Sequence, residues 1–324
     1  MIVELPETTT SQVSKTLVKI REEGGVVALG RVLTLVIATT QEGEEEAIEA
    51  ANDASREHPM RVIVVSREPD DGDPATDDSR LDAEIRVGGD AGASEVIILR
   101  ARGDAAQDEQ SLVMGLLLPD APVVTWWPGA APAVPGDSPL GRIAQRRITD
   151  ASTQPDPQAA LHALADSYQP GDADFAWTRL TLWRAQLAAV LDQPPYEPVT
   201  AVRVRGSIDS PSTTLLAAWL SMQLGASTDC SLVGLEHGSH GIRGVHLVRS
   251  TGTIELVRDQ PGVATLRQPG QPVHDVALPR RSLRDCLADE LRRLDPDELY
   301  GEVITSGLSL IATGRDTDDE GVTA

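Results

Sequence analysis

The stretch that decides the fold of the first half is Arg31-Val-Leu-Thr-Leu-Val-Ile-Ala38, followed by an acidic-started helical segment over 43–57 and by Met60-Arg-Val-Ile-Val-Val65. Both apolar runs are nearly continuous and rich in β-branched residues, as in strands that are buried on both faces. Two such strands joined by a helix form a βαβ unit, which predicts a parallel sheet. Further strands are predicted at 81–87, 95–99 and 121–127.

The second half has a different pattern. A strand over 199–205 is followed by a helix over 211–224, with Ser210 as the N-cap and Pro211 in the first turn. The runs between 242 and 277 then alternate apolar and polar residues, which predicts an antiparallel meander with one wet face. The fold class is therefore α/β: an N-terminal domain with a mainly parallel sheet and a C-terminal α+β domain with an antiparallel meander.

The 324 residues exceed the usual size of a single core, so we expect two domains. A proline-rich loop at 128–139 precedes two helices, predicted at about 156–167 and 174–191. The expected organisation is an N-terminal α/β domain (1–165), a helical connection (166–198), a C-terminal α+β domain (199–312) and a disordered tail (313–324).

Charge and hydropathy exclude two classes of partner. The formal net charge of −22 repels a phosphate backbone, so no nucleic acid is expected. The apolar runs fall short of the ~18 residues that a membrane span needs, and the N-terminus does not resemble a signal peptide, so we expect a cytoplasmic protein without membrane attachment. The acidic segment 68–79 has no large apolar residue and is expected to be mobile and dispensable.

The chain shows no complete catalytic motif. There is no phosphate-binding Walker loop, nucleophile elbow or zinc-binding His-Glu-x-x-His helix, and the glycine cluster at 88–92 lies between two strands rather than before a helix. His237, His240 and His246 are close in sequence, but their glycine-rich surroundings favour a solvated loop over a zinc site. We therefore expect no catalytic residue, metal or cofactor.

The cysteine content also limits the chemistry. Cys230 and Cys286 are the only cysteines, which excludes a disulfide framework and a cysteine-only zinc site. Buried free thiols are the expected state.

Tryptophan and arginine concentrate in one region, and these are residue types that often anchor protein interfaces. The predicted partner-binding residues are Trp126, Trp127, Arg146, Arg147, Arg179, Trp183 and Arg184. Adjacent strand residues point to opposite faces, so Trp126 and Trp127 are not expected to enter one core, and one of them is a candidate for solvent exposure. For Trp183, core packing is at least as well supported as partner contact, because it shares a helical face with three leucines.

A second candidate site lies at the turn before the helix over 211–224. Backbone N–H groups and the helix dipole favour an anion at such a terminus. The anion-binding candidates are Arg203, Arg205, Ser207, Ser210 and Ser212. Ordinary capping explains Ser210 and Ser212 without a ligand.

Several long strings resemble a known family. They are GRVLTLVIAT at 30–39, HPMRVIVV at 58–65, AGASEVIILRARGD at 91–104, LLLPDAPVVTWWPG at 116–129, RRITDAS at 146–152, FAWTRLTLWRAQLA at 175–188 and DELRRLDPDELYGEVI at 289–304. The chain resembles, over about residues 1–312, the glucose-6-phosphate dehydrogenase assembly protein family, OpcA, in its actinobacterial form.

The resemblance implies a non-catalytic assembly factor or allosteric activator. Such a protein would bind glucose-6-phosphate dehydrogenase and promote its active state in the oxidative pentose phosphate pathway, a source of NADPH. The family offers no established catalytic residues to carry over. Some cyanobacterial members are linked to redox control through cysteines, a feature that Cys230 and Cys286, far apart in sequence, do not support. The alternative function is a sugar-phosphate-binding enzyme or sensor that uses the 203–212 strand, turn and helix.

Overall fold

A computed structural model describes residues 1–24, 32–67, 79–88, 95–234 and 241–315. The chain divides into two compact units and passes between them several times. The first unit comprises the described residues of Met1–Asp150, Gly171–Ala173 and Ser282–Pro296. The second comprises those of Ala151–Pro170 and Asp174–Arg281 and those from Asp297 onward.

The secondary structure of these ranges alternates strands and helices. The strands are β1 (Ile2–Leu5), β2 (Leu33–Thr40), β3 (Met60–Arg67), β4 (Arg80–Val87), β5 (Glu95–Arg102), β6 (Val123–Trp126), β7 (Arg146–Thr149), β8 (Asp172–Asp174), β9 (Ala201–Ser207), β10 (Ser227–Val233), β11 (Ile242–Arg249), β12 (Gly252–Gln260), β13 (Val263–Arg267), β14 (His274–Ala277) and β15 (Ala312–Arg315). The helices are α1 (Thr10–Gly24), α2 (Glu44–Ala54), α3 (Glu109–Met114), α4 (Pro157–Ser167), α5 (Phe175–Thr178), α6 (Thr181–Leu191), α7 (Pro211–Leu224), α8 (Leu283–Arg292) and α9 (Glu298–Thr305).

The first unit is built on an eight-stranded sheet with the order β1-β4-β5-β3-β2-β6-β7-β8. The central strands β5, β3, β2, β6 and β7 pair in parallel, while β4 and β1 add antiparallel strands at one edge. This confirms the predicted parallel sheet. The apolar runs set the register, in which Leu35 lies opposite Val62 and Ile37 opposite Val64.

Both faces of the central strands are covered. On one face, Val36 and Ile63 belong to a cluster that also contains Val13 of α1 and Val113 of α3. Alternate residues such as Leu35 and Val64 point to the opposite face and are equally inaccessible to solvent. Helix α2 lies against β2 and β3 and also against α8, which begins at a capping box formed by Ser282 and Asp285.

The second unit is built on a seven-stranded sheet with the order β14-β13-β12-β11-β9-β10-β15. Strands β9, β10 and β15 are parallel, and β11 to β14 form the predicted antiparallel meander. Helix α7 crosses over between β9 and β10, and its residues are buried on nearly every side. Gly206 permits this close approach, because a Cβ atom there would lie 2.1 Å from Oγ1 of Thr213.

Two predictions of local structure were wrong. Residues 313–315, predicted to begin a disordered tail, form strand β15 with Ala312 and supply the edge of β10 with backbone hydrogen bonds; residues 316–324 lie outside the described residues. The single helix predicted over 174–191 is two helices, α5 and α6. The side chain of Asp174 caps α5, and Thr181 Oγ1 donates to the carbonyl oxygen of Thr178 at the junction between the two helices.

Other predictions remain open. Residues 68–78 of the acidic segment, most of the glycine cluster at 88–92 and the loop with His237 and His240 lie outside the described residues. Within 166–198, the predicted helical connection, Gly171–Ala173 belongs to the first unit and the remainder to the second. The predicted boundaries of separately folding domains therefore stay a prediction.

No helix in the described parts of the chain is long and apolar enough to cross a bilayer.

The close approach at Gly206 leads to a test of the packing of α7. We expect Gly206→Ala to lower the free energy of unfolding by about 1–3 kcal/mol, because the added methyl group overpacks the contact with Thr213. Gly234→Ala is the matched control, since nothing lies within 4 Å of a Cβ atom there. Chemical denaturation of both variants measures the difference; equal stability would show that α7 can shift without cost.

Candidate functional site

The two adjacent tryptophans are both buried. Trp126 ends β6 with 0% of its surface exposed, and Trp127, which follows it, is 4% exposed. Trp127 packs in the core cluster that contains Val36 and Leu140. The expectation that one tryptophan faces solvent was therefore wrong. The two rings do point to opposite faces, but this part of the sheet is covered on both.

The neighbouring arginines of β7 are also buried, each with a carboxylate partner. Nε of Arg146 donates to Glu290 on α8 over 2.8 Å, and its Nη1 donates to the carbonyl oxygen of Asp295 over 2.8 Å. Arg147 forms an ion pair with Asp172 on β8. These arginines hold the first unit together rather than presenting charge to solvent.

The remaining members of the predicted interface belong to the second unit. Trp183 on α6 is 4% exposed and packs in the core, as the alternative interpretation proposed. Arg184 is partly exposed and lies over the ring of Trp177, with 3.8 Å between Cζ and the ring centroid. Arg179 donates from Nη1 to Oγ of Ser152 over 3.1 Å. The seven residues are thus divided between the two units.

The predicted anion-binding residues are divided as well. Arg203 and Arg205 are exposed on β9 and alternate with Val202 and Val204, which are buried under the helices. The three serines lie at the opposite, buried side of the chain, at the end of β9 and the start of α7. Serines 210 and 212 line a pocket, and the two arginines do not.

Other arginines line this pocket instead. Arg179, Arg258, Arg280 and Arg281 surround it together with Trp183 and the start of α7, and Asp209 is the one carboxylate that the described residues contribute to its lining. All these residues belong to the second unit. We call this site the arginine pocket. Its volume is about 40 Å³.

Contacts with neighbouring groups position two of these arginine side chains, those of Arg258 and Arg281. Cζ of Arg258 lies 5.7 Å from the ring centroid of Trp183, and burial together with the neighbouring charge of Arg280 lowers the pKa of the Arg258 guanidinium. Nη1 of Arg281 donates to the carbonyl oxygen of Thr178 and to Oγ1 of Thr181, both over 3.0 Å. Like charges are therefore concentrated at a partly desolvated position.

The start of α7 adds hydrogen-bond donors. Ser210 occupies the N-cap position and is 6% exposed, but its side chain caps no backbone N–H group and has no hydrogen bond to any described residue. The hydroxyls of Ser207 and Thr213 are fully buried, and neither has a partner in the described part of the chain. Ser212 differs, since its Oγ donates to the carbonyl oxygen of Ala176 over 2.7 Å.

A larger pocket of about 640 Å³ adjoins the arginine pocket and shares Ser152 and Asp209 with it. Its lining includes Gln154 and Gln158, and it lies where β9, β10 and β15 end, beside Ile208, Leu232 and Gly314. Crevices beyond the carboxyl ends of parallel strands are where open α/β sheets bind ligands.

Sequence reasoning found the start of α7 but none of the four arginines as anion ligands, since Arg179 was predicted to bind a partner protein instead. Arg258 lies near the C-terminal end of β12, and Arg280 and Arg281 follow β14 in an irregular segment. Their only signal in the sequence was the Arg280-Arg281 pair after Pro279, which does not show what it faces.

Metal and thiol chemistry are limited in the described residues. No group of three or more His, Cys, Asp or Glu side chains there could hold a metal ion. Cys230 and Cys286 are buried and form no disulfide, as expected. Burial raises the pKa of the Cys230 thiol to about 12.

The chain is an α/β protein of two units. One unit has a mainly parallel sheet, and the other has a mixed sheet and an arginine-lined pocket. Two family models match the chain. The glucose-6-phosphate dehydrogenase subunit N-terminal domain matches residues 51–166, and the C-terminal domain of the same subunit matches residues 170–304. The chain belongs to the OpcA family of glucose-6-phosphate dehydrogenase assembly proteins.

Comparison with individual proteins adds little. No curated protein matches the chain. The chain is similar to a crystal structure of an oxidoreductase from Pseudomonas syringae. The match covers 88% of this chain and 91% of the other, with 10% identity and a TM-score of 0.37. A structure described as trehalose-6-phosphate from E. coli bound with UDP-2-fluoro glucose is also similar. The match covers 64% of this chain and 66% of the other, with 10% identity and a TM-score of 0.24. These likenesses are too weak to support an inference about fold or function.

The buried ion pair of Arg146 leads to a test of stability. We expect Glu290→Gln to lower the free energy of unfolding by about 3–5 kcal/mol, because it leaves a buried guanidinium without its countercharge. Glu57→Gln is the matched control: Glu57 also pairs with α8, through Arg292, but both side chains are about half exposed. The control should leave the free energy of unfolding nearly unchanged, because an exposed ion pair is screened by solvent. Urea denaturation measures both variants, and equal losses would contradict the structural role of Glu290.

The raised pKa of Cys230 leads to a test of reactivity. Because the thiolate is the nucleophile, about one Cys230 side chain in ten thousand is reactive at pH 8. We expect iodoacetamide to leave Cys230 unmodified in the folded protein and to label it after denaturation. Peptide mass spectrometry measures the labelling, and rapid modification of the folded protein would contradict the described burial.

Proposed function

We propose that this protein is a non-catalytic partner of glucose-6-phosphate dehydrogenase that acts as an assembly factor or allosteric activator in the cytoplasm. The observation that carries the proposal is the match of two successive segments of the chain to domains described as parts of a glucose-6-phosphate dehydrogenase subunit. The matched segments together cover most of the chain. A role in the pentose phosphate pathway, and hence in NADPH supply, follows from that partner.

Activation requires the protein to bind the active state of the dehydrogenase more tightly than the inactive state. A tenfold gain in substrate affinity needs only about 1.4 kcal/mol of coupling free energy. An interface of ordinary size supplies this difference without a covalent step, which is consistent with a partner that carries no reaction of its own.

Burial limits which of the predicted partner-binding residues are available to contact the dehydrogenase. Four of these residues are buried in the first unit, so we propose that they stabilise that unit rather than contact the dehydrogenase. They are Trp126, Trp127, Arg146 and Arg147. On α6, Arg184 is partly exposed and Leu182 is 36% exposed. Residues two positions apart lie on different sides of a helix, so we propose that α6 contacts the dehydrogenase on the side that carries Arg184.

The alternative, a sugar-phosphate-binding enzyme or sensor that uses the 203–212 strand, turn and helix, has less support. Arg203 and Arg205 do not line the pocket at that turn, so the residues that suggested this function are not assembled as one site.

The proposal leads to a kinetic test. We expect added protein to change the substrate affinity, turnover or oligomer size of the purified dehydrogenase in a saturable way. Arg184→Glu should slow association and weaken binding about tenfold, because reversing a rim charge acts mainly on the association rate. Arg267→Glu on β13, another exposed arginine of the second unit, is the control and should bind like the unmodified protein.

The outcomes separate the function from the interface. No change in the dehydrogenase at saturating amounts of the unmodified protein would reject the proposed function. Stimulation that Arg184→Glu and Arg267→Glu affect equally would remove α6 from the interface and leave the function standing.

A further inference from the structure

We propose that the arginine pocket of the second unit binds the phosphate group of a small phosphate monoester, and that the adjoining larger pocket holds the neutral, polar remainder of that molecule. Arg179, Arg258, Arg280 and Arg281 supply the charge, and the start of α7 supplies further donors. The site is distinct from the α6 face proposed for the dehydrogenase and does not depend on that function.

The charge distribution is the first argument. The chain has a formal net charge of −22 and only 28 basic residues, yet the described residues bring four arginines and one carboxylate together at this pocket. Bringing guanidinium groups together at a partly buried position costs free energy, as the lowered pKa of Arg258 beside Arg280 shows. A bound dianion offsets that cost, and arginine forks match the geometry of phosphate oxygens.

The start of α7 is the second argument. Ser210 lines the pocket, is 6% exposed as a residue, and its hydroxyl makes no hydrogen bond to a described residue. A phosphate oxygen accepts from this hydroxyl and from the backbone N–H of Ser212, where the dipole of a 14-residue helix favours negative charge; Pro211 has no N–H, and that of Thr213 donates to the carbonyl oxygen of Ser210.

Size is the third argument. Since a buried water occupies roughly 10–15 Å³ by the same measure, a pocket of about 40 Å³ has room for about three waters, which is the scale of one phosphate group. The larger pocket of about 640 Å³ has room for the organic part.

The lining of the larger pocket restricts the organic part. Gln154 and Gln158 offer amide groups, whereas Asp156 and Asp209 repel a second negative charge. The amide of Gln158 is fixed, because its Oε1 accepts from Thr214 and its Nε2 donates to the carbonyl oxygen of Ile208. A neutral group rich in hydroxyls fits this lining better than a bisphosphate or an apolar group.

Isothermal titration calorimetry of the full-length protein at constant ionic strength tests the proposal. The probes are inorganic phosphate, glucose 6-phosphate as a representative monoester, glucose and chloride. We expect one saturable site for both phosphates, tighter binding of the ester than of inorganic phosphate, and no binding of glucose or chloride.

Three variants locate the site. Arg258→Gln and Arg280→Gln should each weaken phosphate binding at least tenfold. Arg280 is exposed, so its variant remains informative if Arg258→Gln fails to fold. Arg203→Gln is the matched control, because Arg203 is an exposed arginine of the same unit that does not line the pocket, and its affinity should stay within twofold.

Several results would overturn the proposal. Phosphate that does not saturate, or that chloride displaces at equal ionic strength, would show only diffuse attraction to arginines. An equal loss in Arg203→Gln and Arg280→Gln would place binding elsewhere. An ester that binds no more tightly than inorganic phosphate would reject the larger pocket as part of the site.

Discussion

The first unit depends on the buried ion pair between Arg146 of β7 and Glu290 of α8, whose residues are 144 positions apart in the chain. Removing two charges from water is costly, so the pair is stable only because Arg146 also donates to the carbonyl oxygen of Asp295 and the geometry is good. The pair fixes α8 on the sheet of the first unit. The residues on either side of 282–296 belong to the second unit, so the two units share an interleaved chain instead of a single linker.

The strength of each local signal decided how much of the fold could be predicted. β2 and β3 are nearly continuous apolar, β-branched runs, which are typical of strands buried on both faces. The meander alternates apolar and polar residues. Both sheets were therefore predicted. β7 and β8 were missed because they are three or four residues long and carry charged side chains. Those charges are buried only because Glu290 and Asp172 lie opposite, and no local pattern reveals a partner at that distance.

The same limit explains the candidate sites. Tryptophan and arginine are common both at interfaces and in buried cores with ion pairs, so composition alone does not distinguish the two. Arg203 and Arg205 were assigned to the anion site by proximity in sequence. Their alternation with Val202 and Val204 places them on the wet face, whereas the start of α7 lies on the covered side. The arginines that reach the pocket come from the end of α5, from β12 and from the segment after β14, and the fold alone brings them together.

An anion site and a dehydrogenase interface in one chain are connected by thermodynamic linkage. A phosphate ester that binds the arginine pocket changes affinity for the dehydrogenase only if it binds the free and complexed forms of this protein with different affinities, and the effect is then equal in both directions. The structure offers a physical route for such a difference, because Arg281 donates to Thr178 and Thr181 at the start of α6, the helix proposed to contact the dehydrogenase. Both hydrogen bonds use Nη1, so an anion bound to another N–H of Arg281 is connected through one guanidinium group to the start of α6. The proposed ligand and the proposed interface therefore act on the same helix terminus.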